Sequence, residues 1–306
     1  MSFLYFLESI RNPALDTFFS IITKFGEETV FMIAALIIFW CINKYHGYYI
    51  LSIGFMGTVV NQFLKITCRI PRPWVKDPSF TIVESARAEA TGYSFPSGHT
   101  QSSVSTFGGI ANTTKLPWIK MLSIVLAILV PLSRMYLGVH TPQDVLVSVA
   151  VALILIFLFH PIIKKSETDH RYMWWLICAM LIVSLANLLY VTLYNFPSDI
   201  DVTNLESAVK NAYKLFGAIL GIVVVYYFDS KYIDFRTEAP LLGQIFKVVF
   251  GLIVILAIKE GLKPVLNALG IEHPIIMQSF RYFMLVVVAG NLWPLTFKYF
   301  SKISKK

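Results

Sequence analysis

The chain has 306 residues, 56% of them hydrophobic and 14% charged, with a formal net charge of +8. Soluble domains carry about a quarter charged residues, so this balance excludes an ordinary soluble domain and indicates a chain dissolved in lipid. The excess positive charge lies in short loops between apolar runs, not on one water-exposed patch, which excludes a nucleic-acid partner and fits the loop charge that orients membrane proteins.

The N-terminal stretch MSFLYFLESIRNPALDTFF has neither the basic start nor the unbroken apolar core of a cleavable signal. Phe3, Leu4, Phe6, Leu7 and Ile10 fall at helical spacing with Glu8 and Arg11 between them, which predicts an interfacial helix lying on the membrane. Nine spans follow, at about 27–43, 47–66, 97–112, 118–135, 142–161, 172–194, 212–229, 241–259 and 275–297. Most approach the roughly 20 residues a helix needs to cross a bilayer, and long apolar runs punctuated by Gly and Pro exclude a lipid-facing β-barrel. The expected fold is therefore all-α: a polytopic membrane helix bundle of about nine transmembrane helices plus an N-terminal interfacial helix.

The turn Asn43-Lys44-Tyr45-His46 joins the first two spans. The polar stretch 67–96 carries Arg69, Arg72, Lys76, Asp77, Glu84, Arg87 and Glu89, and loops of that length are uncommon unless functional or disordered. Arg69, Glu84, Arg87 and Tyr93 are read as solvated loop residues. Cys41, Cys68 and Cys178 show no metal-ligand spacing and are read as packing residues. In the later spans Lys247, Gln278 and Arg281 are polar at membrane depth; a cavity-lining or headgroup-pairing role is open to Gln278 and Arg281. The Lys-rich tail KYFSKISKK argues for a cytoplasmic C-terminus, which also puts the acceptor-like Asn112-Thr113-Thr114 on the cytoplasmic side.

Three polar clusters interrupt the apolar runs, and ionisable residues at membrane depth are functional candidates by default. The first, Lys65 to Arg72-Pro73, ends the second span. The second, Pro96-Ser97-Gly98-His99, opens the third. The third, Ser133-Arg134 through His140 to Asp144, joins the fourth and fifth. Span parity returns all three to one membrane face, whichever way the chain inserts. Lys65, Arg72 and Arg134 then converge without a matching set of carboxylates, which suits an anion with several oxygens such as a phosphoryl group. The backbone N–H groups of a helix start at Pro96-Ser97-Gly98-His99 favour the same ligand, and Gly98 lets the backbone approach it. His140 and Asp144, four residues apart, share a helical face if that helix begins near Gly138. A carboxylate on one imidazole nitrogen leaves the other basic and aimed. His99 is then free to protonate the leaving oxygen and to activate water.

In this order K-x6-R-P, P-S-G-H and S-R-x5-H-x3-D resemble the signature of the type 2 phosphatidic acid phosphatase superfamily, with every signature position filled. That group includes lipid phosphate phosphatases, undecaprenyl pyrophosphate phosphatases, glucose-6-phosphatases and vanadium haloperoxidases. The resemblance covers about residues 1–165 as a phosphatase core and leaves 166–306 as additional C-terminal transmembrane helices. It implies that Lys65, Arg72 and Arg134 bind phosphate, assisted by Ser97 and the Gly98 amide. It implies His99 as general acid, His140 as the residue that becomes phosphohistidine, and Asp144 as its holder. It also implies a reaction needing neither metal nor cofactor, and a site facing away from the cytoplasm, in keeping with the plasma membrane.

These readings predict an integral-membrane hydrolase acting on a lipid phosphomonoester or diphosphate: an isoprenyl diphosphate, phosphatidic acid or a related lipid drawn from the bilayer. Two alternatives stand beside it. One is a soluble sugar phosphate as substrate, from the nine-span layout. The other is a lipid or anion transporter, from the polar positions of the later spans. Pairing of the chain with itself as a homodimer is left open.

Overall fold

A computed structural model describes residues 1–270 and 273–303. Among these residues there is no β-strand. The helices, in order, are α1 (Ser2–Ser9), α2 (Pro13–Thr23), α3 (Glu28–Ile37), α4 (Lys44–Cys68), α5 (Pro73–Lys76), α6 (Gly98–Ser103), α7 (Gly109–Thr113), α8 (Pro117–Tyr136), α9 (Pro142–Ser166), α10 (His170–Leu193), α11 (Val202–Phe228), α12 (Leu241–Ala268), α13 (Pro274–Val287) and α14 (Phe297–Phe300).

The fold is the expected all-α membrane bundle, but the span count differs. Among the described residues seven helices are long and apolar enough to cross a membrane. The count rises to eight if Pro13–Gly26 and Glu28–Ile42, bent by 53°, form one span. The expected span at 97–112 accounts for much of the difference. It runs from Gly98 to Thr113 as α6, a π-turn and α7, about 24 Å of helix against a hydrocarbon core of about 30 Å. Its polar side chains Thr100, Gln101, Ser103, Ser105 and Thr106 are all buried, so these side chains face protein, not lipid.

The N-terminal stretch is two helices where one was expected. Asn12 stops the first and caps the second: its Oδ1 accepts the Leu15 N–H at 3.0 Å, and Pro13 fills the first helical position. α1 also packs on protein. Leu4 is wholly buried and clusters with Phe80, Met135 and Val145, while Phe3 and Phe6 remain exposed.

The chain forms two compact units. The first comprises Met1–Ala34, Tyr49–His160 and Asp201–Asn204; the second comprises Ala35–Tyr48, Pro161–Ile200 and the chain from Leu205. In the first, α2 and α6 both pack against α8. The polar loop folds onto the end of α8, where Ala86 and Ala90 cluster with Tyr136, Leu137 and Val139. In the second, the Trp40 indole donates to the Ala289 carbonyl at 2.9 Å. The buried Lys247 ammonium donates to the Thr237 carbonyl at 2.9 Å and lies 4.5 Å from the Phe297 ring centre. Arg281 donates to the carbonyl of Lys259.

Candidate active site

The turn between α8 and α9 delivers the histidine. α8 ends in a Schellman motif: the Gly138 N–H donates to the Met135 carbonyl at 3.0 Å and the Val139 N–H to the Arg134 carbonyl at 3.1 Å. This closure needs a left-handed residue, and Gly138 supplies it at φ +81. The His140 N–H reaches the same Arg134 carbonyl at 3.3 Å. α9 then opens with a capping box. The Thr141 N–H donates to Asp144 Oδ2 at 2.8 Å, and Thr141 Oγ1 accepts the Asp144 N–H at 3.3 Å.

The helix therefore starts at Pro142, not near Gly138, and His140 precedes it. The pairing survives because the capping box, not a shared helical face, turns the carboxylate back. His140 Nδ1 lies 3.4 Å from Asp144 Oδ2. Ser94, which belongs to none of the three motifs, completes this side: its hydroxyl donates to Asp144 Oδ2 at 2.5 Å and lies 3.4 Å from His140 Nδ1.

The other imidazole nitrogen faces a cation. Arg72 Nη1 lies 2.9 Å from His140 Nε2 and donates to the Val139 carbonyl at 2.9 Å. With a guanidinium donating to it, Nε2 carries the lone pair and Nδ1 the proton. Burial, then the neighbouring charges of Arg72, Arg134 and Lys65, hold the His140 imidazole well below its ordinary pKa. It is thus neutral, with its free electron pair on the side of the cations.

Lys65, in the last turn of α4, donates to the Tyr93 carbonyl at 2.8 Å. Arg134, in the last turn of α8, is 1% exposed; its Nη1 donates to Thr23 Oγ1 at 2.7 Å, and its Nε has no partner among the described residues. An unpaired N–H on a buried guanidinium is costly, and an anion entering the site would relieve it. Asn61, one helical turn before Lys65, is similar: it is buried and its Nδ2 is unpartnered. Spacing gave no signal for Asn61, because amides on apolar helices are usually packing residues.

At the start of α6, Ser97 is the N-cap, its Oγ accepting the Thr100 N–H at 3.3 Å. Its own N–H donates to the Asp144 carbonyl at 3.2 Å, tying α6 to α9. A Cβ on Gly98 would meet nothing nearer than Asn61 Oδ1, at 4.0 Å, so the space beside this backbone is open. His99 Nε2 lies 3.3 Å from Glu89 Oε2, a pairing that no motif spacing indicates. Gly26 packs against His99: a Cβ there would come within 2.9 Å of both its Cβ and its carbonyl oxygen.

All eight candidate residues of the three motifs lie in the first compact unit. Arg72, His140 and Asp144 are in direct contact, and Ser97 joins them through backbone. Lys65 and Arg134 reach His140 by charge, and His99 makes its own pair with Glu89. Among the described residues no three His, Cys, Asp or Glu side chains are placed to hold a metal ion; the concentrated charge here is that of Lys and Arg.

Comparison with known proteins follows the same outline. Residues 45–168 match the PAP2 superfamily, and residues 213–306 match the transmembrane extension of PAP2 superfamily phosphatases. The chain is 30% identical over 156 residues to undecaprenyl-diphosphatase BcrC of Bacillus subtilis, covering 49% of this chain and 76% of that protein. It is 32% identical over 162 residues to phosphatidylglycerophosphatase B of the same organism, covering 49% and 75%. It is 30% identical over 160 residues to a probable sphingosine-1-phosphate phosphatase of Dictyostelium discoideum, covering 48% of this chain but only 38% of that protein's length. No solved structure matches. A matching core that holds the whole charged constellation, followed by the matching extension, places the chain in the PAP2 superfamily.

Proposed function

We propose that the chain is a membrane phosphatase that hydrolyses a lipid phosphomonoester or diphosphate through a phosphohistidine on His140. One observation carries this reading: a buried, neutral imidazole whose Nε2 lone pair faces Arg72 while Nδ1 faces Asp144. Lys65, Arg72 and Arg134 neutralise the phosphoryl oxygens, and Arg134 Nε gains an acceptor. As Arg72 turns from Nε2 to the phosphate, Nε2 attacks phosphorus. The bond to the leaving oxygen breaks, and His99, which enters the step protonated beside Glu89 once the substrate's negative charge offsets the cations, gives its proton to that oxygen. The Nδ1 proton stays between His140 and Asp144, which stabilises the positive ring. His99 then takes a proton from water, the hydroxide attacks phosphorus, and the P–N bond breaks to release phosphate. The positive charge the step needs is present in three side chains, so turnover should persist in excess chelator.

The lipid substrate is supported by the named relatives, whose names all refer to lipid phosphates, and by the apolar helices around the site. Residues 1–165 carry the chemistry in this reading, and the site faces away from the cytoplasm. Transport is less well supported: Lys247 and Arg281, which suggested it, are engaged by backbone carbonyls nearby. The test is phosphate release in detergent from a panel of lipid phosphates and diphosphates with glucose 6-phosphate, in excess chelator. Lipid substrates are expected to dominate. His140→Ala should lower turnover at least about a thousand-fold while expression and unfolding temperature hold. Full turnover by that variant would remove the nucleophile. Preference for the sugar phosphate would remove the lipid.

A further inference from the structure

Between the loop motifs and α6, three successive carbonyls hold both phosphate-binding cations of the first motif. Arg72 Nη2 donates to the Thr91 carbonyl at 2.7 Å and Nε to the Gly92 carbonyl at 3.1 Å, while Lys65 Nζ donates to the Tyr93 carbonyl at 2.8 Å. Nε and Nη2 form one edge of the guanidinium. With that edge gripped from behind, Nη1 is left toward His140 Nε2, where a phosphoryl group would be attacked. The segment doing this is otherwise poorly supported: Thr91 and Gly92 are exposed. The Ser94 N–H anchors its far end to the Ile70 carbonyl at 2.8 Å.

Its second support comes from a distant part of the chain. Gly92 sits at φ +66, and a Cβ there would stand 2.9 Å from Asn204 Oδ1. Asn204 lies in the first turn of α11, where its N–H is capped by Asp201 Oδ1 at 2.9 Å. Residues Asp201–Asn204 pack with the unit that holds the site, although α11 from Leu205 packs with the other. They also fall between the two stretches that match known families, 45–168 and 213–306.

We propose that Asn204 and Gly92 are positioning residues: the first turn of α11 backs the Thr91–Tyr93 backbone, and that backbone aims Arg72 and Lys65 at the phosphate. The inference rests on the phosphatase reading and gives the chain beyond residue 166 a part in the site. Guanidinium orientation matters because a displacement of about 1 Å can cost about a hundred-fold in rate.

The experiment compares wild type, Gly92→Ala, Asn204→Ala and the double variant. The readouts are KM and kcat for phosphate release, the inhibition constant of orthovanadate, and the unfolding temperature in detergent. Gly92→Ala should raise KM and the orthovanadate constant about ten-fold, because a side chain at φ +66 strains the segment and its Cβ also stands 2.9 Å from Asn204 Oδ1. Asn204→Ala should raise both a few-fold. The double variant should be less impaired than the product of the single effects, since removing the Asn204 amide makes room for the Cβ. Unfolding temperature should stay near wild type in Asn204→Ala and fall modestly in the two variants that carry a side chain at Gly92. If Gly92→Ala does not fold, Asn204→Ala carries the test alone. Unchanged orthovanadate inhibition by Asn204→Ala, with or without a lower unfolding temperature, would overturn the inference and leave the phosphatase reading standing. A wild-type protein that neither releases phosphate nor binds orthovanadate would bring both down.

Discussion

Lys65, in the last turn of α4, and Lys44, at its first residue, both stand among buried ionisable groups, yet the two settings differ. Around Lys44 the cations are met by carboxylates: the ammonium lies 3.4 Å from the buried Asp229 and 2.6 Å from the exposed Asp234, and Tyr48 donates to Asp229 at 3.2 Å, although Asp229 Oδ1 has no partner among the described residues. Around Lys65 they are not. Lys65, Arg72 and Arg134 face Asp144, whose Oδ2 is already taken by Ser94 and Thr141, and the more exposed Glu89. Paired buried charges describe a network that holds helices together. Surplus cations with an unpartnered guanidinium N–H describe a place prepared for an anion. The surplus of cations, more than burial itself, marks the site.

Two substitutions test that distinction, and the larger effect belongs to the surplus. Arg134→Met removes a cation that no carboxylate balances. Phosphate release should fall about a thousand-fold, near 4 kcal/mol of transition-state stabilisation, while unfolding temperature stays level or rises because the unpaired buried N–H is gone. Lys44→Met should do the reverse. It strips the ion-pair partner from the nearly fully buried Asp229, a loss of about 3 kcal/mol in stability measured by unfolding in detergent, with kcat/KM within about two-fold of wild type. Were Lys44→Met to lose activity at unchanged stability, the Lys44 cluster would have to be counted as part of the chemistry.

The site was more legible in the sequence than its surroundings, for a physical reason. Lys65, Arg72, His99, Arg134, His140 and Asp144 serve one reaction, and helix ends can present them to one point only at fixed spacings. Their order therefore carries the geometry. Ser94, Glu89, Asn61 and Thr23 reach the same place through tertiary packing of loop and helix, for which any spacing would do, so nothing in the sequence singled them out. The capping box Thr141-Pro142-Gln143-Asp144 was readable, and would have set the start of α9 correctly. Four-residue spacing between His140 and Asp144 pointed instead to a shared helical face. The short helix Gly98–Thr113 reads as a span in the sequence because small polar residues there interrupt the apolar pattern only weakly. Only burial shows that Thr100, Gln101, Ser103, Ser105 and Thr106 point into protein.

The smallest expected effect sharpens the account of the matched pair inside the site. Asp144 Oδ2 receives the Ser94 hydroxyl, the Thr141 N–H and the His140 Nδ1 proton, with the first two closer than the third. Ser94→Ala deletes the shortest of these. The carboxylate then loses a guide but keeps more of its negative charge for the imidazole. Lost positioning lowers kcat/KM, greater basicity of His140 partly offsets it, and the net fall should be about ten-fold or less. The pH dependence separates the two contributions. In wild type, burial and the neighbouring cations hold the His140 pKa well below its ordinary value, so the imidazole stays neutral, and able to attack, far into the acid range. The acid limb of kcat/KM that belongs to His140 should therefore lie well below about 6.5. In Ser94→Ala that limb should move upward, because a freer Asp144 favours the protonated ring. A limb that stays in place while kcat/KM falls would mean that Ser94 acts by position alone, and one already near the ordinary imidazole value in wild type would mean that the cations do not act on His140 as their placement requires.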